Sequence, residues 1–152
     1  ANPPLIGVLF RPKSSRHQSL DNIEDTGHYC IHAVHFEGWQ KAHSTSFAFG
    51  ADQSEFDECE WVEETIHGSD LPLIEDSLAR ITLQAEEMIP IRSNQCRMLI
   101  GRVQSIQIRE DQLDSDQLPR PEDWLNVCGL DLYMNNQVLS RADEERRNAS
   151  SH

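Results

Sequence analysis

The chain has 152 residues, 38% of them apolar and 26% charged, which suits one soluble globular domain able to bury a real core. Its 26 acidic residues against 13 basic give a formal charge of -13, a field that disfavours nucleic acid and anionic membranes as partners. The same field opposes a phosphorylated ligand, so any phosphate site needs a local concentration of cations, and the Arg11 to His17 loop is the densest.

In chain order, the longest apolar run is Pro4 to Phe10, too short to span a bilayer. Its core, Leu5 to Phe10, is bounded by prolines and reads as a buried strand. The chain opens on Ala1 with no signal-peptide pattern, consistent with the removal of an N-terminus. The polar loop from Arg11 to Gln18 then delivers three cations and two serines to the start of a short helix. Ser19 is placed as its N-cap, Leu20 and Ile23 share one face, and Gly27 stops the run. Free helix-start amides, a hydroxyl, Arg16 and His17 together form a ready site for a phosphate. The alternative for the same residues is an ordinary capped surface turn.

Residues His28 to His35 alternate as a strand, with Tyr29, Ile31 and Ala33 on one face. On that strand His28 and His32 share a face that His35 does not, and no carboxylate sits at ligand spacing. The pattern therefore predicts a half-exposed strand with histidines on its wet face, and no metal. Phe36 to His43 forms a short helix anchored by Trp39 and weakened by Gly38, followed by a hydroxyl-rich loop from Ala42 to Gly50. Ser54 caps a further short helix through Cys59, whose first turn carries acids where the helix dipole favours them. Glu60 to Asp76 reads as an acidic loop with Glu63 and Glu64 on a solvated face.

The second half is more regular. Ser77 to Met88 alternates at Ile81, Leu83 and Ala85 and reads as a strand, although its composition also permits a helix. Cys96 to Ile108 carries β-branched residues in alternation, and Gly101 in its middle marks a bulge or bend. Asp111 to Asp123 is an acidic loop, Trp124, Leu125 and Val127 make an amphipathic turn, and Leu130 to Leu139 ends a domain spanning residues 1–140. Residues 141–152 are highly charged and read as a disordered tail. Cys30, Cys59, Cys96 and Cys128 form no C-x-x-C pair and read as reduced thiols of a cytoplasmic protein. The Asn148-Ala149-Ser150 sequon has no meaning without secretion. Several strands, few long helices and no repeat predict a mainly β antiparallel barrel with helical insertions.

Several blocks in order resemble the flavin reductase-like, FMN-binding split-barrel family. They are Pro-Pro-Leu-Ile-Gly from Pro3, Arg11-Pro12, then Arg16-His17-x-Ser19-x-x-Asn22-Ile23, and Thr26-Gly27-x-Tyr29. Downstream come Ala42-His43-Ser44-Thr45-Ser46, Ser54-Glu55-Phe56-Asp57, Leu99-Ile100-Gly101 and Gly129-Leu130-Asp131-x-Tyr133. The resemblance implies a Greek-key split barrel that pairs into a homodimer and holds FMN near the interface. Arg16, His17 and Ser19 match its cofactor-phosphate positions, Asn22 belongs to the same motif, and Arg11 lies close in sequence. His43, Thr45 and Ser46 match a block near the flavin or its substrate, with a turn held by hydroxyl-backbone bonds as the alternative. His32 stands where the family has Asn, and Ala33 where His is common.

The family also carries barrel strands before the Pro-Pro-Leu segment, so the resemblance implies that this chain is a piece of a longer protein. The other reading is a truncated relative with an incomplete barrel. In a flavoprotein the cofactor does the redox work, so no acid-base pair need appear in the sequence. The absence of G-x-S-x-G, H-E-x-x-H and G-x-G-x-x-G weakens hydrolase and Rossmann readings without by itself pointing to a flavin. The expected activity is flavin reductase-like, with NAD(P)H as reductant. The alternative is a non-catalytic flavin-binding or dimeric interaction module of the same fold.

Overall fold

The computed structural model describes residues 2–12, 18–47, 49–50, 53–65, 71–129 and 132–136. In chain order these form β1 (Leu5–Phe10), α1 (Gln18–Thr26), β2 (His28–Ala33), α2 (Trp39–Ser44) and α3 (Glu55–Glu58). The two-residue strands β3 (Glu63–Glu64) and β4 (Leu73–Ile74) follow, then the long β5 (Ala79–Pro90) and β6 (Arg97–Ile108), and finally β7 (Asn126–Cys128) and β8 (Leu132–Met134). One sheet runs in the order β1-β6-β5-β2 with every pair antiparallel, and β3-β4 and β7-β8 are separate ribbons. The architecture is the mainly β, antiparallel one expected, curled into a half barrel with short helical insertions.

The β5-β6 hairpin dominates because its alternation is unambiguous once both strands are present. Ile81 and Leu83 pair with Ile31 and Tyr29 of β2, which the strand reading of Ser77 to Met88 requires and a helix would forbid. The hairpin closes where Ile91 N–H donates to the Cys96 carbonyl, with Asn94 Oδ1 accepting from Cys96 N–H. Two register shifts bend it. One leaves Gln104 unpaired on β6 between Thr82 and Leu83, and the other leaves Glu86 unpaired on β5 opposite Gly101. The bend expected at Gly101 is thus made by an extra residue on the facing strand. Gly101 serves a second purpose: the Tyr29 ring lies against it, and an added Cβ would stand 2.8 Å from Tyr29 Cζ and collide with the hydroxyl.

The core gathers on the inner face of this bend. Leu83 (0% exposed), Leu99, Tyr29 and Ile23 form its centre, and Val8, Phe10, Ile31 and Val103 pack around them. Complete burial of a leucine such as Leu83 contributes about 1.5–3 kcal/mol. Helix α1 closes one side by burying Leu20 and Ile23, the pair read from the sequence. Gly27 ends it at φ +73°, where its N–H reaches the Ile23 carbonyl at 2.8 Å and its own carbonyl accepts from Ala85 N–H of β5. A second tie runs from Arg97 Nη1 to Glu24 Oε1 at 2.5 Å.

Several local expectations are corrected. Ser19 lies inside α1, behind the helical Gln18, rather than at the N-cap. Trp39 does not anchor α2 in the core; it is 41% exposed and leans on the Tyr133 ring, and α2 runs on to Ser44, into the stretch read as loop. Glu64 is not merely solvated, because it pairs with Arg80. Val127 belongs to the β7-β8 ribbon, since Leu132–Met134 supplies a partner strand that a local reading cannot see. Arg16 and His17, and the tail at 141–152, lie outside the described residues.

Candidate functional site

A cleft of about 740 Å³ opens where α1 leans over the ends of β1 and β2. Its floor is apolar, built from Val8, Phe10, Ile23 and Ile31, which alternation on two strands and one helix face turns inward. Its near rim is the outer side of α1, carrying Ser19, Asn22 and Thr26 at positions three and four apart. Its far wall comes from the start of α3 (Ser54, Glu55, Phe56) and from the β3-β4 ribbon through Glu63, Leu71 and Pro72. An apolar floor with a polar rim, in a volume inside the roughly 300–1,000 Å³ range of small-molecule sites, suits a flat ring with a polar extension.

Most rim groups already have work. Thr26 Oγ1 donates to the Asn22 carbonyl at 2.7 Å, and His28 Nδ1 lies 3.0 Å from the Thr26 carbonyl. Ser54 is the N-cap of α3, accepting from Phe56 N–H at 3.3 Å, as the sequence predicts. Gln53 accepts from Gly50 N–H and donates to Glu58. Ser19 and Asn22 are exposed on α1 and turn toward the cleft. Among the described lining residues the charged side chains are Glu55 and Glu63, with no Lys or Arg.

The expected site residues therefore divide. Ser19 and Asn22 line the cleft. Arg11 is exposed just past the end of β1, outside the lining set, and Arg16 and His17 fall in the segment that is not described. His43, Thr45 and Ser46 sit together at the end of α2, away from the lining residues. Thr45 and Ser46 hydroxyls donate to the Ala42 and His43 carbonyls, the bonding of a closed turn. His43 Nδ1 meets the Tyr133 hydroxyl at 2.8 Å, joining two blocks that lie 90 residues apart.

Sequence reasoning missed a third group, behind the far wall. Arg80 of β5, its side chain 13% exposed, donates through Nε to Ser77 Oγ at 2.8 Å. Its Nη2 binds Glu64 and also donates to the Ile74 and Glu75 carbonyls at 2.8 and 3.0 Å. His32, directly across on β2, accepts from Ile74 N–H at 3.3 Å. Burial first, and the Arg80 charge second, lower the His32 pKa to about 4, so the ring is neutral and free to accept. Burial also pushes the Cys30 thiol up, which keeps this cleft-lining group protonated and unreactive at neutral pH. The only sequence signal for the Arg80 cluster is a cation inside an otherwise half-buried strand.

The sequence profile described as flavin reductase like domain matches residues 1–136. No curated protein sequence matches the chain. Among solved structures, one from Shewanella frigidimarina described as a flavin reductase with split barrel domain is similar at 27% identity and TM-score 0.84, over 92% of this chain and 70% of that one. Flavoredoxin of Desulfovibrio vulgaris is similar at 18% identity and TM-score 0.77, over 92% and 74% of the two chains. An FMN-binding protein from Thermus thermophilus, with bound 1-cyclohex-2-enone, is similar at 20% identity and TM-score 0.70, over 92% and 75%.

Proposed function

Because the chain belongs to the flavin reductase-like family, we propose that it binds FMN in the cleft over α1 and serves as an NAD(P)H-dependent oxidoreductase. The observation that carries this reading is the cleft itself: an apolar floor beside a helix start, in a chain matched by the family along residues 1–136. The residues present fit such a cofactor. Val8, Phe10 and Ile31 offer an apolar bed for a ring, and the Ser19 hydroxyl and the Asn22 amide offer donors to an anionic chain. Two acids on the far wall repel a phosphate, so it belongs at the α1 end, where Arg16 and His17 immediately precede the helix.

When bound, the flavin ring supplies the hydride and electron chemistry. The protein's own task is to bind, orient and shield it, and the site accordingly needs no acid-base pair. The proposal extends to a cytoplasmic homodimer, which accords with the reduced thiols and with the family.

The test is a visible absorption titration of the purified protein with FMN. Wild type should retain a flavin spectrum after desalting, and anaerobic NADH or NADPH should bleach it. Retention without bleaching by either nicotinamide would point to a flavin carrier rather than a reductase. The double variant Arg16→Ala, Ser19→Ala should weaken FMN binding about 10- to 100-fold, the scale of losing one or two charge-assisted hydrogen bonds. Unchanged affinity would remove the phosphate from this loop.

A further inference from the structure

The Arg80 cluster does more than satisfy a buried cation. Strands β3 and β4 have two residues each, too few to hold a position on their own. Yet this ribbon carries the far wall of the cleft, Glu63 on one strand and Leu71 and Pro72 leading into the other. What fixes it to the sheet is a short set of polar bonds that converge on Ile74. The Ile74 N–H is held by His32 Nε2, and its carbonyl accepts from both Arg80 Nη2 and Ser77 Oγ. The same guanidinium holds Glu64 on the opposite strand of the ribbon, so one side chain grips both strands at once.

The chemistry favours a clamp over incidental packing. A guanidinium holds its donors in one rigid plane, and here a single nitrogen, Nη2, faces a carboxylate and two carbonyls while Nε braces Ser77. Buried charge is costly unless it is paired and bonded, so opening the ribbon would strip Arg80 of its carboxylate and carbonyl partners at a cost. Leu73, nearly fully buried, supplies an apolar anchor beside these polar bonds.

We infer that Arg80, with His32 and Glu64, is a positioning cluster that sets where the far wall of the cleft stands, and thereby how long a bound ligand is retained. The inference rests on the reading of the cleft as an FMN site for its ligand, but its structural half stands on the ribbon alone. The Arg80 hydrogen bonds go to Ser77, Glu64, Ile74 and Glu75, none of them a lining residue, so it acts on the wall through Glu64, Ile74 and the strands they belong to.

Two readouts test it, with FMN as the probe. The first is amide hydrogen exchange in the β3-β4 ribbon of Glu64→Gln and Arg80→Lys, against Arg109→Gln as a control for an exposed ion pair elsewhere. Both cluster variants should speed exchange at residues 63–64 and 73–74 and leave the β5-β6 amides unchanged, with the control matching wild type. The second is FMN dissociation by stopped flow. Glu64→Gln should release FMN about tenfold faster with its association rate preserved, the scale of one charge-assisted hydrogen bond lost from the wall. Arg80→Lys keeps the charge but loses the Nε brace to Ser77 and the reach of the planar group, and should lie at or beyond Glu64→Gln. Wild-type exchange in the ribbon of both variants overturns the clamp, whatever happens to FMN. Faster ribbon exchange with wild-type release overturns its role in retention. A wild-type protein that binds no FMN refutes the parent reading instead, and the exchange experiment still decides the clamp.

Discussion

The β5-β6 hairpin and the β3-β4 ribbon are both antiparallel pairs, yet opposite means hold them in place. Each strand of the hairpin has 12 residues, flanked on both sides by paired strands and filled by Leu83, Leu99 and their neighbours. The ribbon has two residues per strand and rests on one buried leucine and a cluster of polar side chains. Distributed apolar burial tolerates small losses, whereas a few directional bonds do not. The hairpin therefore governs whether the chain folds, and the ribbon governs the shape of the cleft mouth.

The largest effect should come from the hairpin. Gly101→Ala puts a methyl into the Tyr29 ring, and the sheet has no slack to move it, so stability should fall by about 2–3 kcal/mol in a urea melt. The Tyr29 hydroxyl is buried without a hydrogen-bond partner among the described residues, and burial raises its pKa. Tyr29→Phe should then be neutral or stabilising by about 1 kcal/mol, because it removes a desolvated group that bonds to nothing. It should also recover part of the Gly101→Ala loss. A Tyr29→Phe variant clearly less stable than wild type would show that the hydroxyl has a partner, and the packing argument would have to be rebuilt.

What was legible follows the same division. Alternation at Ile81, Leu83 and Ala85, the Leu20 and Ile23 pair, the Gly27 stop and the Ser54 cap are local patterns with local causes, and each is found as expected. The two bulges, the β7-β8 pairing and the Arg80 cluster depend on which residues meet across the fold. Glu64 and Arg80 are 16 residues apart and His32 and Ile74 are 42 apart, and no spacing rule links them. Ser19 and Asn22, which the motif singles out, line the cleft, whereas the far wall was not legible because a two-residue strand leaves no periodicity to read.

A mid-sized effect should appear as pH dependence at the ribbon's anchor. The His32 ring is neutral in the fold, with a pKa of about 4 against an ordinary 6.5, through burial first and then the charge of Arg80, which itself pairs with Glu64. On unfolding it takes up a proton at any pH below 6.5, so stability falls as pH drops from 6.5 and its share of the slope ends near 4, where both states are protonated. His32→Gln keeps an acceptor at similar reach but cannot titrate. Melts of the two proteins at several pH values between 7 and 4 should therefore converge, with wild type losing more stability toward acid. Parallel curves would mean that the ring is already charged in the fold, and the acceptor role at Ile74 would be lost with it.

The smallest effect sharpens the comparison most, because it separates the shape of the cleft from its charge. Ser54 caps a single-turn helix whose only duty at the cleft is to present Gln53, Glu55 and Phe56. Removing the cap with Ser54→Ala should cost about 0.5–1 kcal/mol locally and barely shift the global melt, since α3 buries little. Ser54→Asp restores a good cap and adds a negative charge to a wall that already holds Glu55 and Glu63. If order in the wall is what retains FMN, Ser54→Asp should bind like wild type and Ser54→Ala slightly worse. If the wall's charge steers the phosphate toward the α1 end, Ser54→Asp should bind more weakly than either, and raising the salt concentration should erase the difference. Isothermal titration with FMN at low and high salt distinguishes the two outcomes, and equal affinity across all three proteins would place the wall's influence wholly in the ribbon.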